Sequence, residues 1–137
     1  MVTLQDTEVM ANRWVGVTID CVDVQRVAGF WSALLDRPRG PSEPGWVYLG
    51  DPGDPQPRLV FQPVAEPKHG KVRVHLDVAV DDIDQGIAQV VALGGKSTGE
   101  RHDYDEGVVV VMADPEEHEF CLVQYRSLSG ADPTDRD

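Results

Sequence analysis

Between Lys71 and Val80 hydrophobic and polar residues alternate without interruption. The aliphatic residues fall on one side, and Arg73, His75 and Asp77 fall on the other. Side chains on a strand point to opposite faces with a period of two, so the pattern predicts a central strand with one apolar face. The polar face is equally compatible with a sheet surface open to water and with a site that carries chemistry.

Two further segments repeat this organisation. Trp14–Val22 alternates in the same way and predicts a first strand. Asp23 follows it, and Asp81 or Asp82 follows the central strand; each precedes apolar residues at helical spacing. An aspartate can accept the free amides of a first helical turn, so two capped helices are predicted, ended by downstream proline and glycine residues. The other predicted strands are Gly45–Gly50, Arg58–Val64, Lys96–Asp103, Gly107–Ala113 and Glu119–Gln124.

The two halves of the pattern are related by a constant offset. From Asp23 to Asp82 the distance along the chain is 59 residues, and the apolar faces of both predicted helices keep that offset. We therefore expect two βαβββ units, module one at residues 14–64 and module two at residues 71–125. The predicted fold class is α+β: tandem βαβββ modules forming a curved mixed sheet around a cup, with the helices packed on the opposite face.

The same offset predicts which residues meet inside the cup. It makes His75 the equivalent of Gly16 and Cys121 the equivalent of Gln62, on sheet faces turned away from the helices. If the two central strands line the cup, these four positions converge across it. The residues predicted to contact a ligand there are Gln62, Arg73, Asp77, Trp46, Tyr48, Glu119 and Cys121.

These candidates also have structural explanations, which the sequence leaves open. Arg73 and Asp77 are equally well explained as an ion pair on a half-wet sheet, and His75 as a pocket histidine without a catalytic role. Trp46 and Tyr48 fit either the core or an aromatic pocket wall.

Composition and charge exclude several classes of partner. The chain has 137 residues, a common size for one domain, and a formal net charge of −12. With no basic stripe, nucleic acid is not expected as a partner. No apolar run approaches the roughly 20 residues of a membrane span, and no secretory signal is visible, so we expect a cytoplasmic protein. Residues 1–13 are expected to form a flexible leader and 126–137 a disordered tail.

The cysteines and the remaining histidines are predicted to have no role in a functional site of their own. Cys21 and Cys121 lie inside apolar runs with no C-x-x-C or zinc spacing, so buried free thiols are expected rather than a disulfide. His69, His102 and His118 lie near predicted turns and are expected at the surface without a role.

Three motifs accompany the tandem pattern: Thr-Ile-Asp-Cys-Val-Asp before a helix with Phe-Trp, the run His75-Leu-Asp-Val-Ala-Val-Asp-Asp, and the closing Asp114-Pro-Glu-Glu-His-Glu-Phe-Cys-Leu-Val. Together they resemble the vicinal oxygen chelate superfamily, which includes glyoxalase I, bleomycin-resistance proteins, fosfomycin-resistance enzymes and extradiol dioxygenases. The chain is most similar to the small bacterial glyoxalase-like domain, over residues 14 to 125.

The resemblance implies a specific metal arrangement against which this chain can be compared. In metal-using members the four converging positions carry His or Gln and Glu, and their divalent ion chelates two adjacent substrate oxygens. This chain keeps only His75; Gly16 has no side chain, Gln62 is a weak ligand, and Cys121 replaces Glu. No metal is therefore assigned. Two alternatives remain: Glu119 supplies a displaced carboxylate, or His75, Cys121 and another donor hold zinc.

Three functions follow from these observations. The first is a metal-independent protein that binds a small organic molecule in the cup. The second is a lyase, isomerase or dioxygenase-type enzyme, with His75 as general base or metal ligand and Arg73 as anion stabiliser. The third is a structural domain with a vestigial site. The resemblance also implies a homodimer.

Overall fold

The computed structural model describes residues 14–51 and 53–126. The predicted leader and the predicted tail beyond Arg126 lie outside the described residues. Arg126 itself is tied to the fold, because its amide donates to the Glu106 carbonyl at 2.9 Å. The elements in chain order are β1 Gly16–Cys21, α1 Val24–Leu35, β2 Arg39–Gly40, β3 Val47–Leu49, β4 Arg58–Pro63, β5 Asp77–Ala79, α2 Ile83–Ala92, β6 Lys96–Asp103, β7 Gly107–Ala113 and β8 Glu119–Tyr125.

The strands form two four-stranded mixed sheets, in the orders β1-β4-β3-β2 and β5-β8-β7-β6. In each sheet the first and last strands of a module pair in parallel, and the other pairs are antiparallel. Each module therefore has the connectivity β-α-β-β-β, which confirms the predicted tandem. β2 is an edge strand that the sequence pattern did not indicate.

Both helices begin where the sequence predicts. The Asp23 carboxylate accepts from the Arg26 amide at 3.2 Å, and the Asp82 carboxylate accepts from the Asp84 amide at 3.0 Å. These bonds satisfy amides that have no intrahelical partner. α1 ends at Leu35 and is followed by Asp36 in the left-handed region, with a φ of 52°.

The core joins the two modules through aromatic side chains. α1 buries Phe30 and Trp31, and both pack against Phe120 of β8, with ring centroids 6.0 and 4.7 Å away. Edge-to-face contacts of this kind contribute about 0.5–1.5 kcal/mol beyond the burial of apolar area. The first helix is thus anchored to a strand of the opposite module as well as to its own sheet.

The predicted central strand is shorter than the alternating pattern indicated. Regular pairing covers only Asp77–Ala79, and its ladder begins where the Cys121 amide donates to the Leu76 carbonyl at 3.0 Å. β8, its only neighbour among the described strands, starts at Glu119, so the residues before position 75 have no partner strand within residues 14–51 and 53–126. Val74 consequently points into solvent and is 85% exposed.

No helix within the described parts of the chain is long and apolar enough to cross a membrane.

Candidate functional site

A cavity of about 900 Å³ opens between the two modules and is lined by residues of the edge strands β1 and β5. Residues of four segments line it, 14–20, 64–68, 72–77 and 118–120. Trp31, Leu76 and Phe120 supply apolar surface from the inter-module core. Trp14 stands at the wall with 68% of its surface exposed. The volume lies within the range of small-molecule sites.

Carboxylates outnumber amines on the cavity lining. Four acidic side chains line it, whereas a lysine is the single amine among the lining residues that the structure describes. These five residues are Asp20, Glu66, Asp77, Glu119 and Lys68. The lining therefore carries a net negative formal charge before any contribution from the histidines.

Glu119 is held in place on one wall of the cavity. Its carboxylate accepts from the Val72 amide at 3.1 Å and forms an ion pair with Lys68 at 3.3 Å. Partial burial opposes the charged form, but the hydrogen bond from Val72 and the Lys68 ammonium outweigh it, so the pKa of Glu119 lies below its ordinary value. Glu119 is thus an ionised side chain that fixes the otherwise irregular segment before β5.

His75, Asp77 and Cys121 form a compact cluster beside the cavity. The potential ligand atoms of the three residues all lie within 4.8 Å of one another, and His75 Nε2 is 3.2 Å from Asp77 Oδ1. The His75 and Asp77 side chains are 46% and 59% exposed, whereas Cys121 is 6% exposed. Burial, and then the charges of Asp77 and Glu100, raise the pKa of Cys121, which keeps the free thiol protonated and a weak nucleophile near neutral pH.

A buried carboxylate connects module two to module one beneath the cavity. Asp114 is 1% exposed and accepts from the Trp31 indole at 2.8 Å and from the amides of Glu116 and His118 at 2.9 and 3.0 Å. His118 Nδ1 lies 2.8 Å from its carboxylate, while Nε2 lies 3.0 Å from the carbonyl oxygen of Asp20.

His118 therefore has a structural role that its position near a turn did not reveal, and the expectation of a surface residue is wrong. Both ring nitrogens face acceptors, an arrangement that only the doubly protonated imidazolium satisfies fully. Burial lowers its pKa, but the hydrogen bond and charge of Asp114 outweigh burial, so the pKa of His118 is raised above 6.5. The spacing of Asp114 and His118, four residues apart across a turn, was the available signal.

The model of the glyoxalase-like domain matches residues 16–123 of the sequence. This chain belongs to the glyoxalase-like domain family. The match, together with the paired βαβββ modules, confirms the resemblance to the vicinal oxygen chelate superfamily. Comparison with the curated proteins gives no significant match.

Solved structures of similar fold agree with this assignment. The fosfomycin resistance protein FosX from Listeria monocytogenes is 14% identical, with a TM-score of 0.67 over 93% of this chain and 100% of that one. A glyoxalase/bleomycin resistance protein/dioxygenase family enzyme from Burkholderia phytofirmans is 15% identical, with a TM-score of 0.66 over 80% and 95%. Lactoylglutathione lyase from Agrobacterium tumefaciens is 15% identical, with a TM-score of 0.60 over 84% and 95%. At these identities the similarity establishes the fold alone.

The glyoxalase-like fold brings some of the predicted site residues to the cavity and leaves others elsewhere. His75, Asp77 and Glu119 line it, and Cys121 lies beside the first two. Arg73 is exposed and does not line this cavity.

Tyr48 and Gln62 belong to the sheet of module one, and Trp46 directly precedes its strand β3. Trp46 and Tyr48 contact each other edge to face at 6.4 Å, and the Arg58 guanidinium lies over the Tyr48 ring at 4.6 Å. Gln62 donates to the Asp20 carboxylate at 3.0 Å. None of Trp46, Tyr48 and Gln62 lines the cavity.

The strand register shows which positions of the two modules are equivalent. Thr18 and Asp77 each lie five residues before a helix N-cap; Thr18 pairs with Val60, and Asp77 pairs with Cys121. Cys121 is therefore the equivalent of Val60, and the predicted equivalence with Gln62 is wrong. The segment between the helix and the last strand is two residues longer in module two, which a constant offset could not represent.

The metal arrangement that the family implies does not fit this chain. The equivalents of His75, Asp77 and Cys121 in module one are Gly16, Thr18 and Val60, which together offer only a hydroxyl. A β-carbon at Gly16 would lie 2.7 Å from the carbonyl oxygen of Arg58, so no side chain fits there without movement of the backbone. At these three positions a hard divalent ion shared by both modules would find only the Thr18 hydroxyl on the side of module one.

Proposed function

We propose that this glyoxalase-like domain protein binds a small organic molecule that carries positive charge and an apolar part, in the cavity between its modules. The observation that carries the proposal is the lining of the cavity of about 900 Å³, where aromatic and aliphatic side chains alternate with an excess of carboxylates. Apolar walls with a few polar groups are typical of small-molecule sites. The indole of Trp14 adds a face on which a cation is attracted by the ring quadrupole.

A matched series of ligands tests the charge preference. We would measure calorimetric binding of naphthylmethylamine, naphthylmethanol and naphthoate, which share an apolar ring system and differ in charge. The amine is expected to bind most tightly and the carboxylate most weakly, and added salt should reduce the difference because screening weakens exposed charge interactions. Equal or tighter binding of naphthoate would contradict the proposal.

A pair of variants locates the binding in the cavity. Glu66→Gln removes an exposed carboxylate from the lining without changing the size of the side chain, and we expect roughly fivefold weaker binding of the amine, equivalent to about 1 kcal/mol. Glu106→Gln is the matched control, because Glu106 is exposed on module two and does not line the cavity. Equal effects of the two substitutions would indicate a general charge effect rather than this site.

A second candidate is a lyase- or isomerase-type activity in which His75 acts as a base. The supporting observation is its 3.2 Å contact with Asp77 at the cavity wall, an arrangement that can orient an imidazole toward a bound substrate. Substrates with a proton next to a carbonyl group are the class to test. His75→Gln should abolish their turnover while leaving naphthylmethylamine binding within a few-fold; unchanged turnover would refute the role of His75.

A further inference from the structure

The cluster of His75, Asp77 and Cys121 combines three different donor atoms within one module. It offers an imidazole nitrogen, a carboxylate oxygen and a thiol sulfur, all within 4.8 Å of one another. In the parts of the chain that the structure describes, it is the one group of three such residues that meets this distance. The thiol is covered by the sheet, whereas the other two donors face solvent, so one side of the cluster is open.

The backbone fixes the relative positions of these donors. Asp77 and Cys121 are direct partners in the parallel ladder of β5 and β8, which places their side chains next to each other on one face. His75 precedes Asp77 by two residues and projects toward the same face. Hydrogen bonds clamp the strand on both sides of Asp77, from the Cys121 amide to the Leu76 carbonyl and from the Val80 amide to the Val123 carbonyl. Asp77 and Cys121 are thus carried by paired strands, which hold donors more precisely than loops do, and His75 lies just before the paired residues begin.

Within the part of the chain that the structure describes, the thiol of Cys121 makes no hydrogen bond that would compete with a role as a metal ligand. Cys121 and Val123 lie on the sheet face turned away from the helices, together with Val111 of β7, and form a small apolar group separate from the main core. The sulfur is the only polar atom among these three side chains. A metal ion that binds this sulfur would therefore displace the thiol proton to solvent, without breaking a bond that stabilises the fold.

We propose that His75, Asp77 and Cys121 bind a divalent ion of the zinc class, with a fourth coordination position open toward the cavity. A thiolate selects borderline-soft ions such as Zn²⁺ over Mg²⁺ or Mn²⁺, which prefer oxygen donors. Three protein ligands and one open position form a common tetrahedral zinc arrangement. The site lies entirely within module two, in contrast to a metal centre shared between modules. This inference does not depend on the proposed organic ligand.

Cobalt(II) provides a direct test, because it occupies zinc sites and reports a bound thiolate by an intense near-ultraviolet charge-transfer band. We would titrate the full-length protein, purified without a histidine tag and treated with a chelator, with Co²⁺ and no organic ligand. We expect the band to saturate at one ion per chain and to disappear on addition of Zn²⁺. Addition of Mg²⁺ in excess should leave it unchanged. A cobalt spectrum without the thiolate band would overturn the proposal.

The two cysteines form a matched pair for this experiment. Cys121→Ser should remove the band, whereas Cys21→Ala should keep it, because Cys21 is fully buried in the main core. The histidines His75 and His102 form a second pair, since both are partly exposed and both contact a carboxylate, at 3.2 and 2.7 Å. His75→Ala should weaken Zn²⁺ binding by more than the roughly 10–100-fold that loss of an outer-shell partner costs. His102→Ala should leave it unchanged.

Each alternative result is informative. A band that persists in Cys121→Ser would assign the sulfur to Cys21 and refute the site. Equal weakening by His75→Ala and His102→Ala would indicate adventitious surface binding and would also refute it. Because both histidines are at the surface, circular dichroism of these two variants should match the parent protein, so a failure to fold does not obscure the outcome.

Discussion

The connections between the third and fourth strands of the two modules occupy equivalent places in the topology and differ in what they hold. In module one, Asp54 accepts from the nearby amide of Asp51 at 2.9 Å and contacts Arg37 at 3.4 Å. In module two, Asp114 is buried and accepts from the indole of Trp31 in the opposite module. One aspartate closes its own loop, and the other joins two halves of the molecule. Equivalent turns of the two modules can therefore differ in role, and here it is the turn of module two that hydrogen-bonds to the opposite module.

The sheets diverge in a similar way. The three positions that carry His75, Asp77 and Cys121 in module two carry Gly16, Thr18 and Val60 in module one. These residues of module one provide close backbone packing, one hydroxyl and apolar surface, whereas those of module two provide an imidazole, a carboxylate and a thiol. The cluster of three donors is thus confined to one copy, even though both copies share one backbone plan.

The comparison of the two turns predicts the largest effect. Asp114→Ala leaves the Trp31 indole and two backbone amides without an acceptor, and we expect it to lower the free energy of unfolding by about 3–5 kcal/mol. Asp54→Ala removes a partly exposed contact and should cost about 1 kcal/mol or less. Urea denaturation measures both. Similar losses for the two variants would show that the turns are equivalent in function after all.

The pH dependence of His118 sharpens the same comparison. Because its pKa is raised in the folded state, its protonation stabilises the fold; this contribution is fully present below about pH 6.5 and is lost as pH rises through the folded-state pKa. The groups that surround it are Asp114, Glu116 and the carbonyl of Asp20. His118→Gln should therefore cost more at about pH 5.5 than at about pH 8.5, with about 1.5–3 kcal/mol expected for loss of a charged hydrogen bond.

Thermal denaturation of the parent and His118→Gln proteins across this pH range is the measurement. Asp54→Asn in module one is the control, since its surroundings include no histidine contact among the described residues. If the loss of stability in His118→Gln, relative to the parent protein, were larger at alkaline pH, the proposed positive charge of His118 would be contradicted.

The helices allow a third test of the comparison, with a smaller effect. Val27 of α1 and Gly86 of α2 are equivalent, and both are buried. A β-carbon on Gly86 would lie 3.1 Å from Val80 Cγ1 and 3.3 Å from Leu122 Cδ1. Gly86→Val should therefore overpack module two and cost about 1–3 kcal/mol in urea denaturation. Unchanged stability would show that α2 can move away from its sheet.

The smallest effect is expected on the sheet of module one. Gln62→Ala removes an exposed hydrogen bond to Asp20, and we expect a change in stability of about 0.5 kcal/mol or less. Cobalt binding should be unaffected, in contrast to His75→Ala. A loss of cobalt affinity in Gln62→Ala would mean that module one contributes to the metal site.

The sequence predicted most of the local structure, because that structure depends on neighbouring residues. Asp23 and Asp82 cap their helices as expected, and β6 and β7 have the predicted bounds. The strand before Asp77 was predicted too long because its length depends on where β8 begins. An alternating pattern contains no information about how far its pairing partner extends.

The candidate site was predicted only in part, because its geometry also depends on which strands pair and in what register. The alternating pattern placed His75 and Asp77 on one face, and the constant offset predicted that His75 and Cys121 converge. The direct pairing of Asp77 with Cys121 follows from a strand register that no residue pattern displays. His118 was missed because its partners include Asp20 of the other module, 98 positions away. Side chains whose neighbours come from distant parts of the chain are the ones that sequence patterns describe least well.

The turn at residues 114–118 has a consequence for how the polypeptide can be divided. Besides the bonds of Asp114 and His118, the Glu116 carboxylate accepts from the amides of Val22 and Asp23, at 2.9 and 2.6 Å. None of these contacts passes through the peptide that links the modules, where Gly70 is exposed. A backbone cut at that glycine leaves all of them intact, so two separately synthesised fragments retain the surfaces needed to reassemble. The protein is in this sense suited to fragment complementation, in which recovery of the fold reports that the fragment with module one has bound the fragment with module two.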